Sequence, residues 1–151
     1  MIIYMLSLIN LLHAENNIFQ HQWKGDVTPQ AIICQDSKLD KELVEDSIEF
    51  IIERYNIKFP ETIPVNYGEC PDVITRDYKN YIFFKDFQQD DRYAYTNAKF
   101  VKKSDGIKYL ENTTVFFPND ITIGLKREIL RHEIGHALGL AHNDYDYVMY
   151  P

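Results

Sequence analysis

The chain has 151 residues, 45% hydrophobic and 26% charged, with 16 Lys+Arg against 23 Asp+Glu for a formal net charge of -7. That length accommodates one domain with a proper core, and the composition is that of an ordinary soluble globular protein. The acidic balance and the absence of a long basic run disfavour nucleic acid as a partner.

Residues Met1 to Ala14 (MIIYMLSLINLLHA) are almost wholly apolar. The run is too short to span a bilayer as a helix, which takes about 20 residues. Its length suits the apolar region of a secretory signal peptide cleaved after Ala14, which would place the mature chain outside the cytoplasm. A buried or amphipathic N-terminal helix is the alternative, since no Lys or Arg precedes the run and the large Leu12 occupies the minus-three position. No later segment is long and apolar enough to cross a membrane. Residues 15–151 read as a single, monomeric domain. Within the polar stretch 15–29, Trp23 is the one large anchor and reads as a packing residue.

Ala31 to Gln35 (AIICQ) reads as a first buried strand. Asp36 or Ser37 is suited to cap the following helix. From Leu39 to Tyr55, Leu39, Leu43, Val44, Ser47, Ile48, Ile51 and Ile52 recur at helical spacing, with Lys41, Glu42, Glu45, Glu49 and Glu53 on the solvated side. Pro60 and Pro64 interrupt the chain, and Val65 to Tyr67 reads as a second strand. Strand, helix and strand in this order predict a parallel crossover. Cys34 and Cys70 then lie at the same end of neighbouring strands, where a disulfide is geometrically reasonable. In an oxidising compartment the bridge would close a loop of about 36 residues and add roughly 4 kcal/mol in the chain-entropy model. In a reducing one, both would be free core thiols.

Tyr81 to Phe84 (YIFF) reads as a third strand, followed by a polar loop with Asp86, Asp90 and Asp91. Such a loop offers oxygen ligands to calcium, but its spacing matches no calcium motif, and a solvated loop is the simpler reading. Arg92 to Val101 alternates as a strand and turns at Ser104-Asp105-Gly106. Thr113 to Phe117 (TTVFF) reads as the last strand and overlaps a weak glycosylation sequon, Asn112-Thr113-Thr114. Asp120 or Thr122 is placed to cap a second helix, with Leu125, Ile129, Ile134, Ala137 and Leu138 on its core side. Glu128 reads as a solvated charge, with orientation of a neighbouring histidine as the alternative.

That second helix carries the chemistry. The stretch His132 to Pro151 reads HEIGHALGLAHNDYDYVMYP and holds three of the five histidines. Residues four apart lie on one helical face, so His132 and His136 can aim imidazole nitrogens at one ion. Glu133 is rotated by about 100° from His132 and can flank the ion as a general base without ligating it. Gly139 tolerates the left-handed conformation that ends a helix, and the resulting turn brings His142 back to the same ion. Three neutral histidines with one exchangeable position make a catalytic zinc site.

His132-Glu133-x-x-His136-x-x-Gly139-x-x-His142 resembles the long zinc signature of the metzincin metalloproteases. Met149, seven residues after His142, resembles the methionine of their Met-turn, and Val148-Met149-Tyr150-Pro151 is most similar to the matrixin form. The resemblance implies one catalytic Zn(2+) held by His132, His136 and His142, Glu133 as general acid/base, and Met149 as support beneath the metal. It implies a zincin-like α+β or mixed α/β fold, with a twisted, mostly parallel sheet of about five strands and two main helices. The strand at 92–101 would be the sheet edge above the cleft, to which a polypeptide substrate adds in extended form. The chain also departs from the family. Asn143 follows the third histidine, where the named groups show Ser, Asp, Glu or Pro, which leaves the subfamily open. Tyr150 directly follows Met149 and is not assigned as a ligand. The sequence given stops at Pro151, where metzincins continue with a pocket-walling loop and a helix, so either the chain is truncated or the C-terminal pocket is minimal, and tight sequence preference is not expected. Two rival functions stand beside the endopeptidase: a zinc-binding interaction or virulence module with weak or no proteolysis, and a non-proteolytic HExxH metal hydrolase, such as a deformylase, using two histidines and a cysteine.

Overall fold

The described part of the computed structural model comprises residues 18–87, 93–118 and 123–151. In chain order its elements are β1 (Gln30–Cys34), α1 (Lys41–Tyr55), β2 (Val65–Gly68), β3 (Tyr81–Phe87), β4 (Tyr95–Lys102), β5 (Lys108–Pro118) and α2 (Ile123–Ala137). The strands form one sheet in the order β2-β1-β3-β5-β4. β1 runs parallel to both β2 and β3, β3 is parallel to β5, and β4 at the edge is antiparallel to β5. The expected mixed, mostly parallel five-stranded sheet with two helices is therefore observed. The signal-peptide run Met1–Ala14 lies outside the described residues, as do Asp90, Asp91, Arg92, Asp120 and Thr122. No helix among the described residues is long and apolar enough to cross a membrane.

Alternation sets which face of the sheet is covered. Ala31 pairs with Val65 and Ile82, and Ile33 with Phe84, which in turn pairs with Val115. These residues join Val44, Ile48 and Ile51 of α1 and Leu130 and Ile134 of α2 in one buried cluster. Both helices therefore lie on one face, and α1 packs directly against α2. The same register puts Thr96 of β4 beside Val115, on the helix side of the sheet.

Several local expectations are corrected. The cap of α1 is Asp40, whose side chain accepts from the Leu43 amide at 3.3 Å, and the helix begins at Lys41. Ser37 is not a cap: its hydroxyl donates to Asp86 Oδ1 at 2.6 Å, and the Lys38 amide donates to Asp86 Oδ2 at 2.7 Å. Asp86 is thus part of β3, not a loop residue, and both its carboxylate oxygens are engaged. β5 begins at Lys108, five residues before the apolar run; a register irregularity opposite Lys99 and Phe100 separates its first part, where Leu110 is buried in the core, from Asn112 and the residues beyond. Asn112 is 1% exposed, and its side-chain amide donates to the Thr75 and Tyr78 carbonyls at 2.7 and 2.8 Å. That asparagine anchors a loop and presents no free amide for a glycan.

Cys34 and Cys70 form a disulfide with Cα atoms 5.4 Å apart. The register explains it, since Cys34 lies opposite Gly68, two residues before Cys70. Trp23 packs as expected and is 8% exposed. Its indole N–H donates to the Ala137 carbonyl at 3.0 Å, fastening the segment before β1 to the end of α2.

Candidate metal centre

The sequence places two of the three histidines on α2 by simple helical geometry, and the helix end places the third. Leu130, Ile134, Ala137 and Leu138 are buried, which fixes the inward face. Leu125, expected on that face, is 56% exposed, so the core stripe of α2 begins one turn later, at Ile129 and Leu130. Glu128 is exposed, as a solvated charge should be.

α2 ends in a Schellman arrangement. The Gly139 amide donates to the His136 carbonyl and the Leu140 amide to the Gly135 carbonyl, both at 2.9 Å. Gly139 has φ +105°, and a Cβ there would fall on the His21 carbonyl oxygen. Both facts require glycine. The turn is held from outside by the N-terminal segment: the Gln20 amide donates to the Gly139 carbonyl at 2.7 Å, and the Ala141 amide to the Ile18 carbonyl at 2.7 Å. His142 follows this clamp and faces back toward the helix.

The three side chains converge. Nε2 of His136 lies 3.2 Å from Nε2 of His132 and 3.0 Å from Nε2 of His142, and the remaining side of the triangle is 3.3 Å. Two of the tautomers follow from their other nitrogen. His132 Nδ1 lies 2.7 Å from the Val148 carbonyl, and His136 Nδ1 lies 2.8 Å from the Leu140 carbonyl. A carbonyl only accepts, so each Nδ1 carries the proton, and the Nε2 of the neutral ring presents a lone pair. Two lone pairs 3.2 Å apart repel unless a cation lies between them. Nitrogens at about 2.0–2.1 Å from a tetrahedral ion sit roughly 3.3 Å from one another, which matches the triangle. Hydrogen bonds from the distal nitrogens to backbone carbonyls are also what orients metal-ligating histidines. The three histidines can therefore hold a metal ion, and no other such group of His, Cys, Asp or Glu side chains occurs among the described residues. His132 and His136 are half-buried and His142 is exposed, so the centre opens to solvent on the His142 side. Burial pushes the His136 pKa down to about 4; the hydrogen bond to the Leu140 carbonyl works upward, and the proximity of His132 and then His142 adds smaller downward effects, so the ring is neutral at physiological pH.

Glu133 is 6% exposed and lies between α2 and the edge strand. Thr96 Oγ1 is 2.7 Å from its Oε2 and 2.9 Å from its backbone carbonyl, so the one hydroxyl proton is shared between two acceptors of the same residue. Burial raises the carboxyl pKa to about 7, although the Thr96 hydrogen bond works in the opposite direction. The carboxylate is not one of the converging ligand atoms. Met149 is 1% exposed and lies directly under Gly135, the helical position between the two ligand-bearing turns. A Cβ on Gly135 would fall on the Met149 sulfur and come within 3.0 Å of Cε. The small residue between Ile134 and His136 is thus a seat for the methionine. Tyr150 is exposed and Cys34 and Cys70 are engaged with one another, so none of these joins the three histidines.

Sequence reasoning did not single out Thr96, or the two carbonyls, of Leu140 and Val148, that set the imidazoles. A backbone acceptor leaves no mark in residue identity. Thr96 is 37 residues from its partner and lies in a strand whose alternation reveals its face but not its neighbour. Comparison of the chain with models of known protein families and with curated proteins finds no match in either.

Proposed function

We propose that the protein is a zinc-dependent endopeptidase of the metzincin type. The observation that carries the reading is the triangle of three Nε2 atoms, 3.0–3.3 Å on a side, with two of the rings fixed through their Nδ1 atoms. Three neutral imidazoles and an open corner suit zinc in a catalytic rather than a structural role. Zinc bound there supplies a Lewis acid that polarises a peptide carbonyl and acidifies a water. Glu133 would serve as the general base for the attacking water and as the general acid for the leaving amine. A carboxyl held near neutrality is matched to both transfers. Thr96 keeps the carboxylate at the boundary between helix and edge strand. β4 pairs only with β5 among the described strands, so its outer edge offers backbone groups to an extended polypeptide.

Both cysteines of the chain are joined to each other, which disfavours a hydrolase that recruits a cysteine as third ligand. The same disulfide and the apolar run at Met1–Ala14 support a secreted or otherwise extracytoplasmic location. The test is incubation of the purified chain with casein or a peptide library, with and without a chelator. Cleavage that a chelator stops and zinc restores is expected. A zinc-loaded protein that cuts nothing under these conditions favours a binding module and overturns the endopeptidase.

A further inference from the structure

The loop after His142 is tied to the end of α1 by side chains that play no part in the chemistry above. Arg54 and Tyr55 are the last two residues of α1. Arg54 Nη2 donates to Asp146 Oδ1 at 3.0 Å, and the Tyr55 hydroxyl donates to Asp146 Oδ2. The guanidinium also lies over the Tyr147 ring, 4.6 Å from its centroid. Asp146 Oδ1 in turn accepts the Val148 amide at 3.0 Å. Val148 is the residue whose carbonyl takes the His132 Nδ1 proton at 2.7 Å. A second closure, from the Asn143 amide to the Met149 carbonyl at 2.8 Å, ties the two ends of the same loop together.

We infer that Arg54, Tyr55 and Asp146 form a positioning set for the metal centre, acting through the Val148 backbone to hold the His132 imidazole in register with His136 and His142. The inference rests on the metal-binding reading of the three histidines but not on proteolysis. Val148 is 7% exposed, and its N–H and C=O are both committed, one to Asp146 and the other to His132. A shift of the carboxylate therefore moves the residue that orients a ligand. Burial of the Asp146 carboxylate opposes ionisation, but the hydrogen bonds from Tyr55, Arg54 and the Val148 amide outweigh it and leave the pKa below its ordinary value. The group is an anion at neutral pH, suited to gather three donors at once. In Asp146→Asn, one acceptor is replaced by an N–H group, and the single oxygen that remains can take either the Oδ1 donors, Arg54 and the Val148 amide, or the Tyr55 hydroxyl, but not all three.

The experiment titrates the metal-free full chain with Co2+, reading affinity and the visible absorption band that reports coordination geometry, alongside a chemical unfolding curve. Asp146→Asn is expected to weaken Co2+ binding about 10-fold, the low end of the usual range for groups behind a ligand, and to alter the band. Tyr55→Phe, which keeps the ring and its packing, is expected to lower affinity a few-fold, and Glu49→Gln on the exposed side of α1 to leave both readouts unchanged. A folded Asp146→Asn or Tyr55→Phe protein with wild-type affinity and an unaltered band overturns the inference. Should the wild-type chain take up no Co2+, the metal-binding reading falls and this inference with it.

Discussion

The crossover β1–α1–β2 and the C-terminal stretch from α2 to Met149 are built on opposite principles. The first is closed by apolar contact and one covalent bond: Ala31, Ile33, Val44, Ile51 and Val65 are 0–5% exposed, and the Cys34–Cys70 disulfide fixes the strand ends. The second gathers polar groups that do not satisfy one another. Its three Nε2 atoms face inward at 3.0–3.3 Å, and a buried carboxyl is held by one hydroxyl. The crossover is held by packing and a covalent bond, whereas the other region has an arrangement that a bound cation would make favourable. Stability and chemistry are thereby assigned to different parts of one small sheet, joined where α1 packs on α2.

Separate perturbation of the two regions tests that division. Glu133→Gln is expected to reduce peptide hydrolysis by about 10²–10⁴-fold, the usual range for a lost general base, with zinc content by metal analysis and the urea midpoint near wild type. Replacement of both cysteines by serine should do the reverse. About 4 kcal/mol of unfolding free energy is expected to go in the chain-entropy model, while Co2+ affinity of the remaining folded protein is retained. If that variant loses metal affinity in proportion to stability, the two regions are not independent. Gly139→Ala joins both effects, because the turn holds His142 as well as the helix end. Unfolding experiments should show a loss of about 1–3 kcal/mol from the backbone conformation alone, with weaker metal binding. The smallest effect expected is that of mild acid on the metal-free protein. His136 has a folded pKa near 4, below its unfolded value of 6.5. The unfolded chain therefore binds the proton first, and this contribution to stability is whole above pH 6.5 and lost as pH falls towards 4. The Glu133 carboxyl, raised to about 7, takes up its proton first in the folded state and works in the opposite direction. The contribution is therefore read in metal-free Glu133→Gln, where a thermal midpoint that is flat across that window would contradict the burial assigned to this ring.

The two regions also differed in how far the sequence disclosed them. The strands of the crossover are short apolar runs between breakers, and each was found within a residue or two of its place. Residue type does not settle its cap, because Asp36, Ser37 and Asp40 are all competent caps, and it is the distant Asp86 that engages Ser37. In the C-terminal region the ligand set was visible because helical spacing and one glycine turn are local rules. The misplaced Leu125 shows the limit of that periodicity, since the start of the stripe is set by what the helix packs against. The shell around the histidines was not legible: Thr96 with Glu133 and Arg54 with Asp146 are joined across 37 and 92 residues, and two acceptors are carbonyls common to every residue.

The clamp formed by Ile18, Gln20 and Trp23 on the turn at Gly139 bears on the order of folding. The backbone contacts and the indole bond that secure the end of α2 are made by residues more than a hundred positions earlier in the chain. Closing so long a loop is slow compared with local helix formation. The histidines of α2 can be helical early, but His142 gains its fixed place only when the two distant stretches have met. Any affinity of the three histidines for a cation would thus come late in folding, and metal uptake would report the finished chain.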